Sequence, residues 1–178
     1  GLYTYGLSNG PHVGEAARDG CELMILWATN LVSTGVHSIP FIREAKERGM
    51  KLVVVDPRRT RTTMFADVHI QPKPGTDAFL ANAMIKVIVD KNLHDVEFLN
   101  TQTHGWEEFV EKVLPKYTLE EAEKITGVKA KDIEELAVEY AKTKKSYIRA
   151  NYGLNRHQNS GQMCRAVLIL PCFNGSWR

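Results

Sequence analysis

The apolar residues of this chain occur in short, nearly continuous runs separated by longer segments with helical spacing. A continuous apolar run is typical of a strand that is buried on both faces of a parallel sheet. Strands are predicted at residues 22–28, 51–55, 67–71 and 146–150. Helices are predicted at residues 39–48, 78–90, 130–143 and 161–170, and a shorter helix is predicted between Thr118 and Gly127.

The order of these elements indicates an α/β fold. A strand, a polar loop, a helix and a second strand follow one another between residues 22 and 55, which is the βαβ unit of a parallel sheet. At 178 residues, the chain has the length of one domain. We therefore expect a single α/β domain over residues 1–178, with a doubly wound, mainly parallel sheet and helices on both faces, similar to a Rossmann-type dinucleotide-binding domain.

Two helix starts carry local signals. Thr118 and Glu121 have the spacing of a capping box, in which each side chain bonds the backbone of the other residue. Thr76 or Asp77 is expected to cap the helix at residues 78–90, because prolines and a glycine break the chain just before it.

Polar residues cluster where the predicted strands end. The loops after residues 28, 55 and 150, and the loop before residue 78, are rich in Gly, Asn, Thr, Asp and Arg. The carboxyl ends of parallel strands lie at one edge of the sheet, and open α/β sheets bind ligands there. The sequence therefore predicts one polar crevice at this edge.

The turn after residue 55 is the most basic of these loops. Arg58, Arg59 and Arg61 follow Asp56 and Pro57, and guanidinium groups bind phosphates in a bidentate manner. A solvated basic turn is the alternative for the arginines. Asp56 can equally bond the backbone amides of its own turn.

Two further loop residues, Asp77 and Asn30, leave two roles open, and a third, His157, has no assigned role. Asp77 can accept hydrogen bonds from a guanine ring or a ribose hydroxyl, or it can simply cap a helix. Asn30 can approach a ligand or act as an ordinary turn residue. His157 lies in a polar loop between Arg156 and Gln158.

Composition excludes several classes of function. A net charge of +2 gives no general case for nucleic-acid binding, and no apolar run is long enough to insert into a membrane. The glycine and lysine motifs of ordinary dinucleotide and ATP sites are absent from the sequence. Cys21, Cys164 and Cys172 are too scattered for a cysteine metal site, so we expect three buried, reduced thiols in a reducing compartment. Residues 1–6 lack the features of a signal peptide.

Several motifs occur in a characteristic order: Leu26-Trp27-Ala28-Thr29-Asn30, Asp56-Pro57-Arg58-Arg59-Thr60, Pro74-Gly75-Thr76-Asp77, Ile125-Thr126-Gly127-Val128, Tyr152-Gly153-Leu154-Asn155-Arg156-His157, Arg165-Ala166 and Asn174-Gly175-Ser176-Trp177-Arg178. In this order they resemble the molybdopterin oxidoreductases of the dimethyl-sulfoxide-reductase superfamily. Formate dehydrogenases, thiosulfate and polysulfide reductases and acetylene hydratase belong to that superfamily. Ala28 departs from the family pattern, which has glycine at this position.

The resemblance implies a domain that binds one molybdopterin guanine dinucleotide carrying molybdenum or tungsten. Asp77 would accept hydrogen bonds from guanine. Such polar contacts supply a discrimination that apolar contacts cannot supply. Arg165 would face the pterin end or the substrate funnel. The full set of cofactor-binding residues implied by the resemblance is Thr29, Asn30, Asp56, Pro57, Arg58, Thr60, Gly75, Thr76, Asp77, Gly153, Arg156 and Gln158.

The resemblance also implies that chemistry depends on residues outside this sequence. The family holds its metal through the pterin dithiolenes and usually a Cys, selenocysteine or Ser, and many members add an iron–sulfur cluster. This chain supplies no such ligand, so we expect an excised domain without catalytic or metal-binding residues and without turnover of its own. The expected partners are the other domains of the parent enzyme, with an iron–sulfur electron-transfer subunit as a further candidate. A cytoplasmic parent is favoured, and a periplasmic one would need a twin-arginine signal.

Two other functions share this fold class. One is a non-catalytic nucleotide-binding or regulatory module, and the other is the middle domain of a thiamine-diphosphate enzyme. Fold alone does not separate them. The combination of Asp56-Pro57-Arg58 with Pro74-Gly75-Thr76-Asp77 favours the molybdopterin enzyme, which performs two-electron redox chemistry on a small substrate.

Overall fold

The structure is a computed structural model, and it describes residues 11–176. Residues 1–6, which bear on the signal peptide, and Trp177 and Arg178 of the last motif lie outside the described residues. The strands are β1 (Leu23–Trp27), β2 (Lys51–Val55), β3 (Val68–Ile70) and β4 (Ser146–Ala150). The helices of the described part are α1 (Val13–Arg18), α2 (Leu31–Thr34), α3 (Ile39–Glu47), α4 (Asp77–Asp90), α5 (Val96–Gln102), α6 (Trp106–Lys112), α7 (Leu119–Thr126), α8 (Ala130–Lys142) and α9 (Ser160–Phe173). Short 3-10 turns occur at Val36–Ser38, Thr62–Phe65, Leu114–Lys116 and Tyr152–Arg156.

The four strands form one parallel sheet in the order β3-β2-β1-β4. In the central register, Ile25 of β1 pairs with Val53 on one side and Ile148 on the other. The chain therefore proceeds outward from β1 through β2 to β3, and then returns to the opposite side of β1. This arrangement confirms the α/β fold with a parallel sheet.

Both faces of the sheet are covered by helices. Alternate side chains of β1, beginning with Leu23, pack into a core formed with α4, α7, α8 and α9. The intervening side chains, Met24 and Leu26, pack into a second core formed with α1 and α3. Burial from both sides explains why the strand is continuously apolar. The doubly wound arrangement with helices on both faces is thereby confirmed.

Helix α4 organises the larger core. It packs most extensively against α9 and also contacts α7 and α8. Its buried residues include Leu80, Met84, Ile85 and Ile88, which cover more than one side of the helix. A helix that is apolar on several sides is buried among other elements instead of lying on the surface. Its first residue, Asp77, is thereby held at the carboxyl edge of the sheet.

Several short helices were not predicted from the sequence. Residues 29–35, predicted as a loop, contain α2, and α1, α5 and α6 were also missed. These helices have only four to seven residues, and α6 buries none of them. Such short segments give little hydrophobic periodicity, and tertiary packing stabilises them instead.

The two predicted helix caps had different outcomes. The Thr118 hydroxyl accepts the Glu121 backbone N–H at 3.2 Å, which confirms that part of the capping box. Thr76 occupies the N-cap position of α4, but its hydroxyl donates to the Lys73 carbonyl at 2.7 Å instead of capping the helix. The prediction that Thr76 or Asp77 supplies the N-cap is confirmed for the position of Thr76, but capping by a side chain was wrong. The Asp77 side chain is engaged elsewhere.

The cysteines are free thiols, as expected, but their burial is uneven. Cys172 is buried, whereas Cys21 and Cys164 are half-buried. Burial raises the pKa of the Cys21 thiol to about 11. Within residues 11–176, no helix combines the length and the apolar character needed to cross a membrane.

Shortening a side chain of α4 should reveal how much of the stability resides in the larger core. Met84 is 0% exposed, and Met84→Ala is expected to lower the free energy of unfolding by about 2–5 kcal/mol through lost burial and a cavity. Met64 is 81% exposed, and Met64→Ala should change the free energy of unfolding by no more than about 0.5 kcal/mol. Urea unfolding of both variants checks this prediction. Equal losses would contradict the assignment of the core.

Asp67 joins three elements immediately before β3. Its carboxylate accepts the Leu52 N–H at 2.7 Å and the Lys46 ammonium at 2.7 Å. Burial alone would raise the pKa of Asp67, but these two donors outweigh it and hold the pKa below its ordinary value. The stabilisation is therefore present at neutral pH and is lost as the pH falls through the lowered pKa.

Asp67→Asn should accordingly be less stable than the unaltered chain near pH 7, by up to about 1 kcal/mol for this partly exposed carboxylate. The difference should shrink under acidic conditions, where the native carboxyl is itself protonated. Thermal unfolding between pH 7 and pH 3 measures this difference in stability. The control is Glu44→Gln, which changes an exposed carboxylate. A difference independent of pH would show that the charge of Asp67 does not contribute.

Candidate functional site

The carboxyl ends of β1 and β4 lie where the order of the strands across the sheet reverses. After β1 the chain enters α2 and α3 on one face, and after β4 it enters α9 on the other face. The two connections diverge from neighbouring strands, and in open α/β sheets such a divergence leaves a crevice between them. This position is where open α/β sheets bind their ligands.

The two strand tips touch at Ala28 and Gly153. Ala28 adopts a left-handed conformation with φ of 53°, and its carbonyl accepts the Gly153 N–H at 3.3 Å. A Cβ atom on Gly153 would lie 2.6 Å from that oxygen and 2.8 Å from the Ala28 Cβ atom. Position 153 therefore requires glycine because the loops approach too closely for a side chain.

Thr29 reinforces the same junction. The Asn151 side-chain amide donates to the Thr29 hydroxyl at 3.2 Å, and Thr29 is buried. Thr29 therefore links the two loops and does not present an exposed hydroxyl. Sequence reasoning missed Asn151, whose only signal was its place at the end of a strand.

Asp77 is bound to the last residue of β1. The Trp27 indole Nε1–H donates to Asp77 Oδ1 at 2.8 Å, and both side chains are buried. A buried tryptophan normally satisfies its N–H in this way. The bond fixes the start of α4 against the tip of β1, so Asp77 lies beside the crevice. The sequence named Trp27 only as part of the motif at residues 26–30, and no role was predicted for its side chain.

Asn30 connects the loops after β1 and β2. The Thr62 hydroxyl donates to Asn30 Oδ1 at 2.7 Å and accepts the Val32 N–H at 3.2 Å. The Asn30 amide also donates to the Ser33 hydroxyl at 3.0 Å. Asn30 is thus more than a turn residue. Thr62 is a structural residue of this edge that the sequence did not reveal.

The basic turn after β2 has a defined backbone. Asp56 Oδ1 accepts the Arg58 N–H at 2.8 Å, which confirms the local role considered for this carboxylate. His69 Nε2 lies 2.8 Å from the Asp56 carbonyl oxygen, and the Gln71 amide donates to the Pro57 carbonyl at 3.4 Å. The turn is therefore anchored to the residues around β3 while its arginines extend outward.

The loop before α4 meets the loop after β4 at His157. Gly75 has φ of 83°, and a Cβ atom placed there would contact the His157 ring at 3.7 Å. Arg156 and Gln158, which flank this histidine, are exposed. The structure therefore places the residues around Gly75 and those around His157 side by side.

Positive charge at this edge lacks acidic partners. Arg58, Arg59, Arg61, Arg156 and Arg165 are exposed, and none forms an ion pair or side-chain hydrogen bond with a described residue. The ion pairs found within residues 11–176 lie elsewhere, and most use lysines. Free guanidinium groups beside backbone turns suit an anionic, phosphate-bearing ligand.

One buried polar atom at the same edge is unsatisfied. Thr60 Oγ1 has no hydrogen-bond partner among the described residues, although it is screened from solvent. A buried hydroxyl without a partner costs free energy, and such atoms are uncommon in folded proteins. Thr60 lies between Arg59 and Arg61, so the unsatisfied atom belongs to the basic turn. The nearby Thr62 hydroxyl, in contrast, both donates and accepts a hydrogen bond.

A cavity of about 450 Å³ lies away from this edge, between α4, α7 and α8. The charged groups that line it are already paired, as Lys86 with Asp90 and Lys91 with Glu134. It therefore offers little to a charged ligand. Among residues 11–176, the His, Cys, Asp and Glu side chains form no cluster of three that could hold a metal ion.

A family model described as Molybdopterin oxidoreductase matches residues 19–178. The chain belongs to the molybdopterin oxidoreductase family. The match includes β1 and β4 and the loops that meet at the carboxyl edge. It confirms the resemblance drawn from the ordered sequence motifs, and the family implies a molybdopterin cofactor with molybdenum or tungsten.

Individual relatives agree with this assignment. The chain is 39% identical over 175 residues to "Probable oxidoreductase YoaE" of Bacillus subtilis (strain 168), covering 98% of this chain and 25% of that protein. It is 33% identical over 158 residues to "Formate dehydrogenase H" of Escherichia coli (strain K12), covering 89% of this chain and 22% of that protein. The chain thus spans about a quarter of the length of these relatives.

A solved molybdopterin enzyme has the same fold. The chain superposes on "Acetylene Hydratase from Pelobacter acetylenicus" with a TM-score of 0.79 and 29% sequence identity. The match covers 92% of this chain and 24% of that one. The sheet and its helices are therefore a unit that recurs within a larger molybdopterin enzyme.

The tight contact at Gly153 can be tested by adding one methyl group. Gly153→Ala should lower the free energy of unfolding by about 1–3 kcal/mol, because the Ala28 backbone must move to make room. Gly161 lies in α9 with open space around it, so Gly161→Ala should be neutral or stabilise by about 0.5–1 kcal/mol. Denaturant unfolding compares the two. Equal changes in the free energy of unfolding for Gly153→Ala and Gly161→Ala would show that the two strand tips do not touch.

Proposed function

We propose that this chain is the α/β domain of a molybdopterin oxidoreductase that binds the guanine dinucleotide part of its molybdenum or tungsten cofactor. The domain is proposed to span residues 1–178. The observation that carries the proposal is the junction at the switch point of the sheet. There, Asp77 at the start of α4 is bonded to the tip of β1, beside the close contact of Ala28 with Gly153.

The basic turn after β2 is proposed to hold the diphosphate. Asp56 and Pro57 shape this turn through their backbone contacts, and Arg58 extends from it with its guanidinium unpaired by any described residue. The buried Thr60 hydroxyl has no partner, so a small adjustment of the turn on binding would allow it to donate to a phosphate oxygen. These features fit an anionic ligand.

The loop before α4 is proposed to hold the guanine base. Gly75 and Thr76 lead the backbone into the helix, and Asp77 offers a carboxylate that pairs with adjacent N–H donors of the guanine ring. Adenine lacks this pair of donors, so the carboxylate supplies discrimination between the bases. Thr29 and Asn30 support the facing wall through their bonds to the neighbouring loops.

The loop after β4 is proposed to lie along the pterin side of the cofactor. Gly153 permits close backbone approach, and the exposed side chains of Arg156 and Gln158 are available for polar contacts. When bound, the cofactor supplies two-electron redox chemistry at its metal. The residues of this chain bind and orient the cofactor, and they donate no side chain to the reaction in this proposal.

The substrate site and the metal ligand are proposed to belong to other parts of a larger enzyme. The relatives are about four times as long as the matched region, which leaves room for the remaining domains. One relative is named as the alpha subunit of an F420-dependent formate dehydrogenase from Methanocaldococcus jannaschii. By analogy, the proposed partners are the other domains of the parent and an iron–sulfur electron-transfer subunit, in a cytoplasmic or periplasmic enzyme.

Calorimetric titration with GDP and ADP tests the nucleotide assignment. GDP should bind more tightly than ADP, because only guanine presents two adjacent donors to Asp77. Asp77→Asn should weaken GDP binding about 10-fold to 100-fold, the effect of losing a hydrogen bond to a charged group, and should leave ADP binding unchanged.

Asp90→Asn is the matched control, because Asp90 lies at the far end of the same helix in an exposed pair with Lys86. It should alter neither nucleotide affinity. Tighter binding of ADP, or GDP binding that is indifferent to Asp77→Asn, would contradict the proposed function and favour a different nucleotide-binding module.

A further inference from the structure

The buried bond between Trp27 and Asp77 has features that a simple structural contact does not need. Trp27 is 0% exposed and Asp77 is 6% exposed, and they lie fifty positions apart in sequence. An indole has one N–H donor, whereas an ionised carboxylate has two oxygen atoms that accept hydrogen bonds. The pair satisfies the indole completely and uses only one of the two oxygens.

The second oxygen of Asp77 has no hydrogen-bond donor among the described residues. The only hydrogen bond to this side chain within residues 11–176 comes from Trp27. Unlike Thr60 Oγ1, this oxygen is not fully screened from solvent, and the first turn of a helix favours its negative charge. A nearly buried acceptor at the carboxyl edge of the sheet is therefore ready to receive a donor from a ligand.

The indole also restricts the orientation of that acceptor. Trp27 ends β1, the strand paired on both sides, and its ring belongs to the larger core beside α4. A ring packed in this way cannot rotate freely, so the N–H direction is fixed. Asp77 Oδ1 must remain 2.8 Å from that N–H, which limits rotation of the carboxylate. The other oxygen is thereby held in one direction before any ligand arrives.

We propose that Trp27 is a positioning residue for base recognition, which holds the Asp77 carboxylate, with one oxygen still free, facing the adjacent N–H donors of the guanine ring. This inference rests on the proposed function. It assigns the discrimination between guanine and adenine to a pair of residues instead of to Asp77 alone. Pre-oriented polar groups gain affinity because less conformational freedom is lost on binding.

A purely structural role makes a different prediction. If the bond only fastens α4 to β1, its removal lowers stability and affects the binding of every nucleotide in proportion. If it positions Asp77, its removal lowers GDP affinity selectively and leaves ADP affinity in place. The ratio of the two affinities separates the alternatives.

The experiment compares Trp27→Phe with Trp106→Phe in the 178-residue chain. Trp106 also donates its indole N–H to a side-chain oxygen, that of Asn100 at 3.0 Å, but it lies in α6 away from the crevice. Trp27→Phe should reduce the GDP-to-ADP affinity ratio by about tenfold, the scale of one hydrogen bond to a charged group. Trp106→Phe should leave the ratio unchanged.

The double variant Trp27→Phe with Asp77→Asn gives a further criterion. Two residues that act as one unit have non-additive effects, so the double variant should lose no more GDP selectivity than Asp77→Asn alone. Additive losses would show that the two residues contribute independently, and they would overturn the positioning role.

Spectroscopy of the unaltered chain covers the case in which Trp27→Phe fails to fold. The indole ¹H–¹⁵N signal of Trp27 should shift as GDP is added, and should shift less at equal occupancy by ADP. The Trp106 signal serves as the internal reference. A Trp27 signal that stays in place at GDP saturation would overturn the inference.

The outcomes separate this inference from the proposed function. If the unaltered chain shows no preference for GDP over ADP, both are overturned. If the chain prefers GDP but Trp27→Phe retains the full preference, the proposed function remains supported and the positioning role of Trp27 is wrong.

Discussion

The central position of β1 is the constraint on which the remainder of the structure depends. Its backbone is paired with β2 on one side and β4 on the other, and its five side chains alternate between two separate cores. No position in this strand can hold a polar side chain without burying it. Polar chemistry is therefore displaced to the ends of the strand, and the two connections that leave β1 and β4 for opposite faces create a crevice at one of those ends.

Unpaired positive charge lies at the carboxyl edge of the sheet, whereas the strands themselves are buried and apolar. Seven lysines elsewhere on the molecule pair with carboxylates, whereas none of the five exposed arginines around the carboxyl edge pairs with a described residue. The two acidic residues of that edge, Asp56 and Asp77, are already bonded to N–H donors. The edge thus combines acceptors of defined direction with exposed, unpaired cations, a combination suited to a ligand that has both a polar ring and phosphate groups.

The regular elements were largely predictable because they depend on local pattern. The strand at residues 51–55 and the strand at 146–150 have the predicted bounds, and the first strand ends one residue early because Ala28 adopts a left-handed conformation. The site was predictable only as a set of loops. The Trp27–Asp77 bond and the Asn30–Thr62 bond join residues far apart in sequence, so local propensity suggested a cap and a turn instead.

The contact of Ala28 with Gly153 also sets how closely the tips of β1 and β4 approach each other. One methyl group, supplied by Ala28, fills the space between the two strand tips, and there is no room for a second. The size of residue 153 is therefore limited by residue 28, since a side chain at position 153 requires the tips to separate. The separation of the two strand tips is a property of this pair of small residues, and no charged group takes part in it.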